Sequence, residues 1–352
     1  MIPKYDVLAA DLDLIRRYLD TVSGTQQTTD QRRFAYIATI SALYASFESF
    51  AEQLAFRFGQ LMLSAPEHLS AQQLESLRSK YVQNASALLS KNLGVGRYKE
   101  IDELDIAKSL ASCLDDSHPY DLRLEVIALH HSNLRWDTMA DLFRWAVPDL
   151  PSRIRHADAV RSWQMKSGYG DGVATLPTEL LARELADLVE RRNEVSHRAI
   201  PDEIVSPEQL LAKVDFIEAM SLGLVASLSC LVLEASRDRH ESEVLGVPTE
   251  YFQRGRIVVL PTLSAAVAVG DIVWASNGRI ARWGRLQELQ LDGNSVPRVD
   301  PGIETGMKLD FAMPRQSALH VWRTPDADFI DPPAGIFGDR GPLVTDPVTV
   351  NN

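Results

Sequence analysis

Residues 37–61, IATISALYASFESFAEQLAFRFGQL, carry apolar side chains at alternating steps of three and four residues. The series consists of Ile37, Ile40, Tyr44, Phe47, Ala51, Leu54, Phe58 and Leu61. This is the spacing of a helix that packs along a partner, and it predicts one long helix from near Asp30 to near Leu63. The apolar face indicates the core of a helical bundle or a dimer contact, with an extended coiled coil as a further alternative.

Helical periodicity continues from the start of the chain to about Arg239. Ser70 followed by Gln73 is a capping-box pattern that predicts the start of a second helix. Shorter helices are predicted around residues 101–114, 121–131, 136–146 and 154–165. Ser206, Pro207 and Gln209 supply a cap, a first-turn proline and a capping-box glutamine, and they predict a last helix that runs to near Ser236.

After about Tyr251 the pattern changes to short β-like runs broken by Gly, Pro and Asn. Residues 271–284, DIVWASNGRIARWG, alternate on both sides of Asn277-Gly278, a pair typical of a tight hairpin turn. The alternation favours a small core, over a stacking face, for most of Trp274, Trp283 and Trp322.

The sequence therefore predicts a mainly α fold with a small C-terminal β-rich module. We expect a helical domain over residues 1–240 and a β-rich domain, barrel or sandwich-like, over 250–328. Residues 329–352 are too rich in Pro and Gly for regular structure and predict an extended or disordered tail.

The composition bounds the class of protein. The 352 residues are 45% hydrophobic and 24% charged, as in ordinary globular chains. A net charge of −12 argues against a broad grip on nucleic acid, so any RNA or DNA contact must be a local patch. The apolar run 219–233 is too short for a membrane span and predicts a buried core helix. Cys113 and Cys230 lie far apart, which fits a reducing cytosol, and we expect a cytoplasmic protein without a membrane partner.

Residues 191–198, RRNEVSHR, place a cation where the apolar stripe of a predicted helix should continue. On an ideal helix the stripe of Leu181, Leu185 and Leu188 lies within about 40° of Arg192. Burying an arginine there without an anion or a partner is costly, and a phosphate is one candidate. His197 lies roughly 140° from Arg192, so one helix does not easily aim both at one atom. A symmetric dimer would bring two of each into one cleft.

The chemistry of this residue set is limited. A histidine can act as general base or acid, an arginine can hold a phosphate bidentately, and an asparagine can orient either. No carboxylate cluster or histidine array has the spacing of metal ligands, and no cofactor is expected. RNA carries its own nucleophile, the 2′-hydroxyl, so a base and a phosphate clamp suffice for cleavage without a metal, whereas DNA lacks that group. The set therefore favours RNA as the substrate.

Arg192 and Asn193, followed after three residues by His197, resemble the R-N-x-x-x-H signature of the HEPN superfamily. The stretches ALYASFESFAEQLA and HSNLRWDTMADLF resemble its RiboL-PSP-type and related branch. The resemblance implies a helical bundle and a homodimer that acts as a metal-independent endoribonuclease at a composite site. It also implies a toxin or anti-phage effector with an antitoxin or defence-system partner.

By match to the motif, Arg192 and His197 would be catalytic and Asn193 would support them. We expect His197 to act as base or acid and Arg192 to stabilise the phosphorane-like state, leaving 2′,3′-cyclic phosphate ends. Some HEPN proteins have a tyrosine two residues after the histidine that a nucleotidyltransferase modifies. Here that position is Ala199, so neutralisation by that route is not expected.

Three further residues and a rival function stay open at this point. Arg191 and Arg198 either grip RNA phosphates or are last-turn cations favoured by the helix dipole. Glu48 either orients His197 or Arg192 from the facing helix or lies on a solvated flank. The rival is a non-catalytic HEPN-like module that senses or scaffolds by binding an anionic ligand or a protein, and the acidic balance favours it.

Overall fold

The computed structural model describes residues 1–24, 28–64, 66–91, 93–95, 99–115, 121–169, 177–198, 201 and 203–338. These residues are mainly helical, with an antiparallel sheet in the C-terminal region, which confirms the predicted fold class. The helices are α1 (Ile2–Ser23), α2 (Thr29–Leu63), α3 (Ala71–Leu89), α4 (Glu103–Leu114), α5 (Leu124–Ile127), α6 (Trp136–Phe143), α7 (Leu150–His156), α8 (Asp158–Lys166), α9 (Thr178–His197) and α10 (Pro207–Asp238).

Helix α2 confirms the long helix predicted from the spacing of residues 37–61. It begins with a reciprocal cap, in which the Gln31 amide donates to Thr28 Oγ1 at 3.2 Å and the Thr28 amide donates to Gln31 Oε1 at 2.9 Å. Every member of the predicted apolar series except Ile37 is buried. The apolar face of α2 is therefore bundle core, which leaves little apolar surface for a coiled coil.

The predicted starts of two other helices are confirmed. Ser70 caps α3 through Gln73, and at the start of α10 the Gln209 amide donates to Ser206 Oγ while the Ser206 amide donates to Gln209 Oε1. Helix α10 is long and apolar enough to cross a membrane, but 83% of its most apolar window is buried within the protein. That burial agrees with the core helix predicted from residues 219–233.

The helix predicted over residues 121–131 is wrong in its extent, because only Leu124–Ile127 are helical. Here tertiary contacts override the local pattern, since the side chain of Asn84 donates a hydrogen bond to the Val126 carbonyl at 2.8 Å. The helix predicted over 154–165 is likewise two helices, α7 and α8. The chain after α5 is thereby left irregular, and this irregular segment carries part of the candidate site.

A glycine on α2 lies at the close contact between α2 and α5. A Cβ at Gly59 would lie 2.7 Å from Ile127 Cδ1 and 3.1 Å from Leu122 Cδ1. Both separations are shorter than ordinary van der Waals contact. The absence of a side chain at Gly59 thus lets α5 approach α2.

The chain forms two compact units. The first comprises Met1–His156 and Trp163–Val225, and the second comprises Ala157–Ser162 and the described chain from Ala226 onward. The domain bounds drawn from the sequence, 1–240 and 250–328, stay a prediction.

The second unit contains an antiparallel sheet. Its strands are β1 (Ser242–Gly246), β2 (Glu250–Phe252), β3 (Ile257–Leu260), β4 (Val267–Ala268), β5 (Ile272–Ser276), β6 (Ala281–Leu291), β7 (Asn294–Val296), β8 (Arg298–Val299), β9 (Thr305–Leu309) and β10 (Leu319–Trp322). The main order is β1-β10-β5-β6-β9-β3-β2, with β7 paired to β6 and β4 paired to β8 apart from it. The predicted hairpin is β5–β6, in which Ser276 pairs with Ala281 across a loop whose Asn277 side chain accepts two backbone N–H bonds.

The three tryptophans of this unit are core residues. Trp274 and Trp283 are fully buried and Trp322 is nearly so, which confirms the prediction from strand alternation. The predicted tail is described only to residue 338. In that part the rings of Phe329 and Phe337 lie 5.7 and 5.2 Å from the ring of Trp283, and residues 339–352 lie outside the described residues.

We expect Phe58→Ala to lower the free energy of unfolding by about 3–5 kcal/mol, because it removes a fully buried ring from the bundle core. The Phe58 ring lies 6.2 Å from that of Phe143 and 5.9 Å from that of Trp145. The matched control is Phe34→Ala on the same helix, where the ring is 64% exposed and the loss should stay within about 0.5 kcal/mol. Urea unfolding measures both, and equal losses would contradict the packing of α2.

Candidate active site

Helix α9 packs on α2 and carries the residues that the sequence singled out. Leu181, Leu185 and Leu188 are buried in one stripe, as predicted. Arg192 follows one turn later and is half-buried. The cation therefore stands at the edge of the bundle core, where the stripe reaches a cleft.

The guanidinium of Arg192 is held by uncharged groups. Its central carbon lies 5.0 Å from the centroid of the Tyr44 ring, a distance at which a cation is attracted to the ring face. Its Nη1 donates to Asn133 Oδ1 at 3.3 Å and to Asn193 Oδ1 at 3.4 Å. Asn133 Nδ2 in turn donates to Asn193 Oδ1 at 2.7 Å. An aromatic ring and two amides thus compensate for the partly buried charge.

Two neighbouring arginines are bound differently. Arg135 pairs with the carboxylate of Glu190, and Arg191 Nε donates to Asp187 Oδ2 at 3.0 Å. For Arg192, by contrast, no carboxylate partner is found within the described residues, and neither its Nε nor its Nη2 is engaged there. These two nitrogens form the edge of a guanidinium that binds an oxyanion bidentately. The geometry leaves Arg192 able to accept an anion without breaking an ion pair.

The Arg191 side chain is bound on two sides by other residues of the first unit. Its Nη1 donates to the Tyr36 hydroxyl at 3.2 Å, and Asp187, its carboxylate partner, also binds Lys213. Burial favours a raised pKa for Asp187, but the hydrogen bonds from Lys213 and Arg191 outweigh it and hold that pKa below its ordinary value. The low pKa favours the charged carboxylate, which pairs with Arg191, and the two alternatives that the sequence left for Arg191 stay open.

Tyr44 is the platform beneath Arg192. It is buried, its hydroxyl donates to Glu48 Oε1 at 2.6 Å, and it accepts a hydrogen bond from the Leu134 amide at 2.9 Å. Burial, followed by the bond to Glu48, raises its pKa well above the ordinary value, so the phenol stays neutral. Among the described contacts Glu48 touches neither Arg192 nor His197, and it accepts the hydrogen bond of Tyr44, whose ring lies beneath Arg192.

Arg192 lines an open cleft of about 820 Å³ in the first unit. The polar part of the lining includes Glu48, Glu52, His130, Asn133, Arg135 and Arg192. Arg192 lies beside the Asn133 amide, while the carboxylates of Glu48 and Glu52 lie beside His130. A phosphate is therefore favoured at the arginine side and repelled by the acidic side.

His130 links the segment after α5 to α2 by a hydrogen bond to Glu52. Its Nε2 lies 2.9 Å from Glu52 Oε1 and 3.9 Å from Glu48 Oε1, and its Nδ1 donates to the Ser132 carbonyl at 2.6 Å. The bond to Glu52 raises the pKa of His130, although burial opposes the shift. Acceptors at both ring nitrogens favour the charged form of the imidazole. Among the described residues no group of three or more His, Cys, Asp or Glu is placed to hold a metal ion.

His197 is the last residue of α9 and is exposed. It does not belong to the described lining of the cleft, and in the described part of the chain no contact joins it to Arg192. Arg198 is also exposed, and its amide donates to the Glu194 carbonyl at 2.9 Å. Ala199 lies outside the described residues. One chain therefore presents the arginine and the histidine of the motif at different places.

Sequence reasoning did not assign a role to Asn133 or Tyr44. Tyr44 belonged to the apolar series of α2, and nothing in that pattern distinguishes a platform from a core residue. Asn133 lay in a recognised segment without a physical case of its own. The only signal was a run of polar residues, HHSN at 130–133, between two helical segments.

Comparison with known protein families identifies a relationship. A family model described as RiboL-PSP-HEPN matches residues 6–228, well over half of the chain. The matched range includes Tyr44, Asn133 and the R-N-x-x-x-H pattern of α9. No curated protein and no solved structure matches the chain significantly.

We expect the His130 imidazole to titrate above its ordinary value of 6.5, because Glu52 stabilises the charged form. A raised folded-state pKa contributes stability that is fully present below the unfolded-state pKa and is lost as the pH rises through the folded-state pKa. Glu52→Gln should lower the midpoint and reduce this pH-dependent stability. NMR titration and urea unfolding between about pH 5 and 8 measure both.

The matched control for this change is Glu75→Gln, on the exposed face of α3. It removes one carboxylate from the same unit without touching His130. A His130 midpoint that is the same in Glu52→Gln and in the wild type would contradict the assignment.

Proposed function

The chain belongs to the RiboL-PSP-HEPN family, and from that premise we propose that it is an endoribonuclease that needs no metal ion. HEPN proteins are generally associated with RNase activity. The observation that carries the proposal is the Arg192 guanidinium, held by two amides and a ring in the lining of a polar cleft, with one edge unengaged within the described residues. This is a group prepared for a phosphate.

The chemistry requires a base, an acid and a stabiliser of charge. In the proposed reaction His197 takes the proton of the 2′-hydroxyl or protonates the departing 5′-oxygen, and solvent water carries out the other proton transfer. The 2′-oxygen attacks the adjacent phosphorus, the bond to the 5′-oxygen breaks, and a 2′,3′-cyclic phosphate and a 5′-hydroxyl result. Arg192 stabilises the negative charge on the phosphorane-like state. Asn193 fixes the position of Arg192 through its amide oxygen.

A second copy of the chain is part of this proposal. His197 is exposed at the end of α9, away from the described lining of the cleft that contains Arg192. In the proposed dimer the two copies meet through the end of α9 that carries His197. A two-fold contact uses the same surface on both copies, so the histidine of each copy would lie beside the arginine of the other. Arg198 adjoins His197 and is exposed, so we assign it the role of contacting RNA phosphates near the cut.

We expect the wild type to cut total RNA in EDTA and to leave cyclic phosphate ends, while single-stranded DNA stays intact because it lacks the 2′-hydroxyl. Arg192→Ala and His197→Ala should each lose at least about 100-fold in rate, since each removes a group that acts in the transition state. The matched controls on α9 are the exposed Arg183→Ala and Ser196→Ala. Retained cleavage in either motif variant, with fold and dimer intact, would refute the catalytic assignment.

Mixing the two inactive variants tests the composite site. If the arginine and histidine come from different copies, a mixed dimer contains one intact pair. Exchange of subunits between Arg192→Ala and His197→Ala should then restore about a quarter of the wild-type activity at a random mixture. A mixture as inactive as its components would show that both groups act within one chain.

We also propose a cellular role as a toxin or anti-phage effector that an antitoxin or defence-system partner controls. The family resemblance supports this role, and RNA cleavage is a direct way to stop growth. Induced expression of the wild type should arrest bacterial growth and His197→Ala should not. Equal growth of both strains, with equal protein levels, would remove the support for a toxin.

A second candidate is a non-catalytic module that binds an anionic ligand or a protein partner. The observation that favours it is the acidic side of the cleft, where Glu48, Glu52 and Glu125 lie in the lining, in a chain with a net charge of −12. Such a field slows the approach of RNA. Tight binding of a nucleotide or a protein, together with no RNA cleavage, would select this candidate.

A further inference from the structure

We infer that Asn133 is a positioning residue that fixes the Arg192 guanidinium and leaves its Nε–Nη2 edge open to the phosphate. The inference rests on the proposed function, because it assigns the phosphate of RNA to Arg192. It adds a residue from outside the R-N-x-x-x-H pattern, 59 positions earlier in the chain. Asn133 does not need to touch the substrate for this role.

The contacts of Asn133 define what it does. Its Oδ1 accepts from Arg192 Nη1 at 3.3 Å, and its Nδ2 donates to Asn193 Oδ1 at 2.7 Å. Asn193 Oδ1 also accepts from Arg192 Nη1 at 3.4 Å. The Nη1 group of Arg192 thus donates to two amide oxygens, and the two amides are joined by the bond from Asn133 Nδ2 to Asn193 Oδ1. Rotation of the guanidinium away from this arrangement would break both contacts.

The segment that carries Asn133 is itself fixed at three points. His130 binds Glu52, the Leu134 amide donates to the Tyr44 hydroxyl, and Arg135 pairs with Glu190. The contacts reach α2 on one side and α9 on the other. An irregular segment tied in this way can place one side chain as firmly as a helix does.

The uncharged nature of Asn133 is the second part of the inference. A carboxylate at this position would form an ion pair with Arg192 and compete with any incoming phosphate. An amide presents an acceptor of nearly the same shape without the negative charge. The amide therefore orients the cation and leaves its charge available.

The experiment measures binding apart from cleavage. A short oligoribonucleotide with 2′-O-methyl groups has no nucleophile, so its affinity is read by fluorescence anisotropy without turnover. Asn133→Asp should weaken its binding about tenfold, because the new carboxylate occupies Arg192. Asn133→Ala should lower kcat on cleavable RNA more than it raises KM, because a loosened guanidinium is misplaced in the transition state.

The control is Ser132→Asp, which adds the same charge one residue away without a described contact to Arg192. It should weaken binding by no more than about twofold. Thermal unfolding checks the fold of each variant, and Asn133→Ala carries the test if Asn133→Asp is unfolded. Wild-type affinity in Asn133→Asp, or wild-type kcat in Asn133→Ala, would overturn the inference.

The same experiment separates this inference from the proposed function. A wild type that cuts no RNA, but binds the methylated oligonucleotide more tightly than Asn133→Asp does, would refute catalysis and leave the role of Asn133 standing. Cleavage that depends on Arg192 and is indifferent to Asn133 would do the reverse.

Discussion

In the first unit an aromatic ring and two amides hold the Arg192 guanidinium, and no carboxylate pairs with it among the described residues. Arg192 continues a stripe of buried leucines, and its guanidinium lies over the ring of Tyr44. The ring is fixed because its hydroxyl is bonded on both sides, to Glu48 and to the Leu134 amide. A guanidinium stacked on such a surface keeps its charge and part of its hydrogen-bonding capacity. The candidate site depends on this stack.

Three distant parts of the chain meet to make it. Helix α2 supplies Tyr44, the irregular segment after α5 supplies Asn133, and α9 supplies Arg192. Near these segments α5 packs closely on α2 at Gly59, where a Cβ would lie 2.7 Å from Ile127 Cδ1. The site is therefore assembled from residues of three separate segments, and the motif on α9 supplies only part of it.

The sequence predicted those features that are local in origin. Helix α2 and the starts of α3 and α10 depend on spacing and on caps three residues apart, so they could be read directly. The helix predicted over 121–131 failed because Asn84, far away in sequence, binds the Val126 carbonyl. Arg192 was found because a cation interrupts an apolar stripe, whereas Asn133 and Tyr44 were not, since their roles exist only once three segments are packed. Glu48 was placed near the site, but its contact runs through Tyr44.

The caps of three long helices have a consequence for behaviour in acid. Each of α2, α3 and α10 begins with a serine or threonine that exchanges hydrogen bonds with a glutamine, at Gln31, Gln73 and Gln209. A glutamate in that place would take up a proton at low pH and weaken the cap, but the amide of glutamine does not titrate. Acid therefore acts on this fold through its carboxylates, while the hydrogen-bonding groups of these three caps keep the same protonation state.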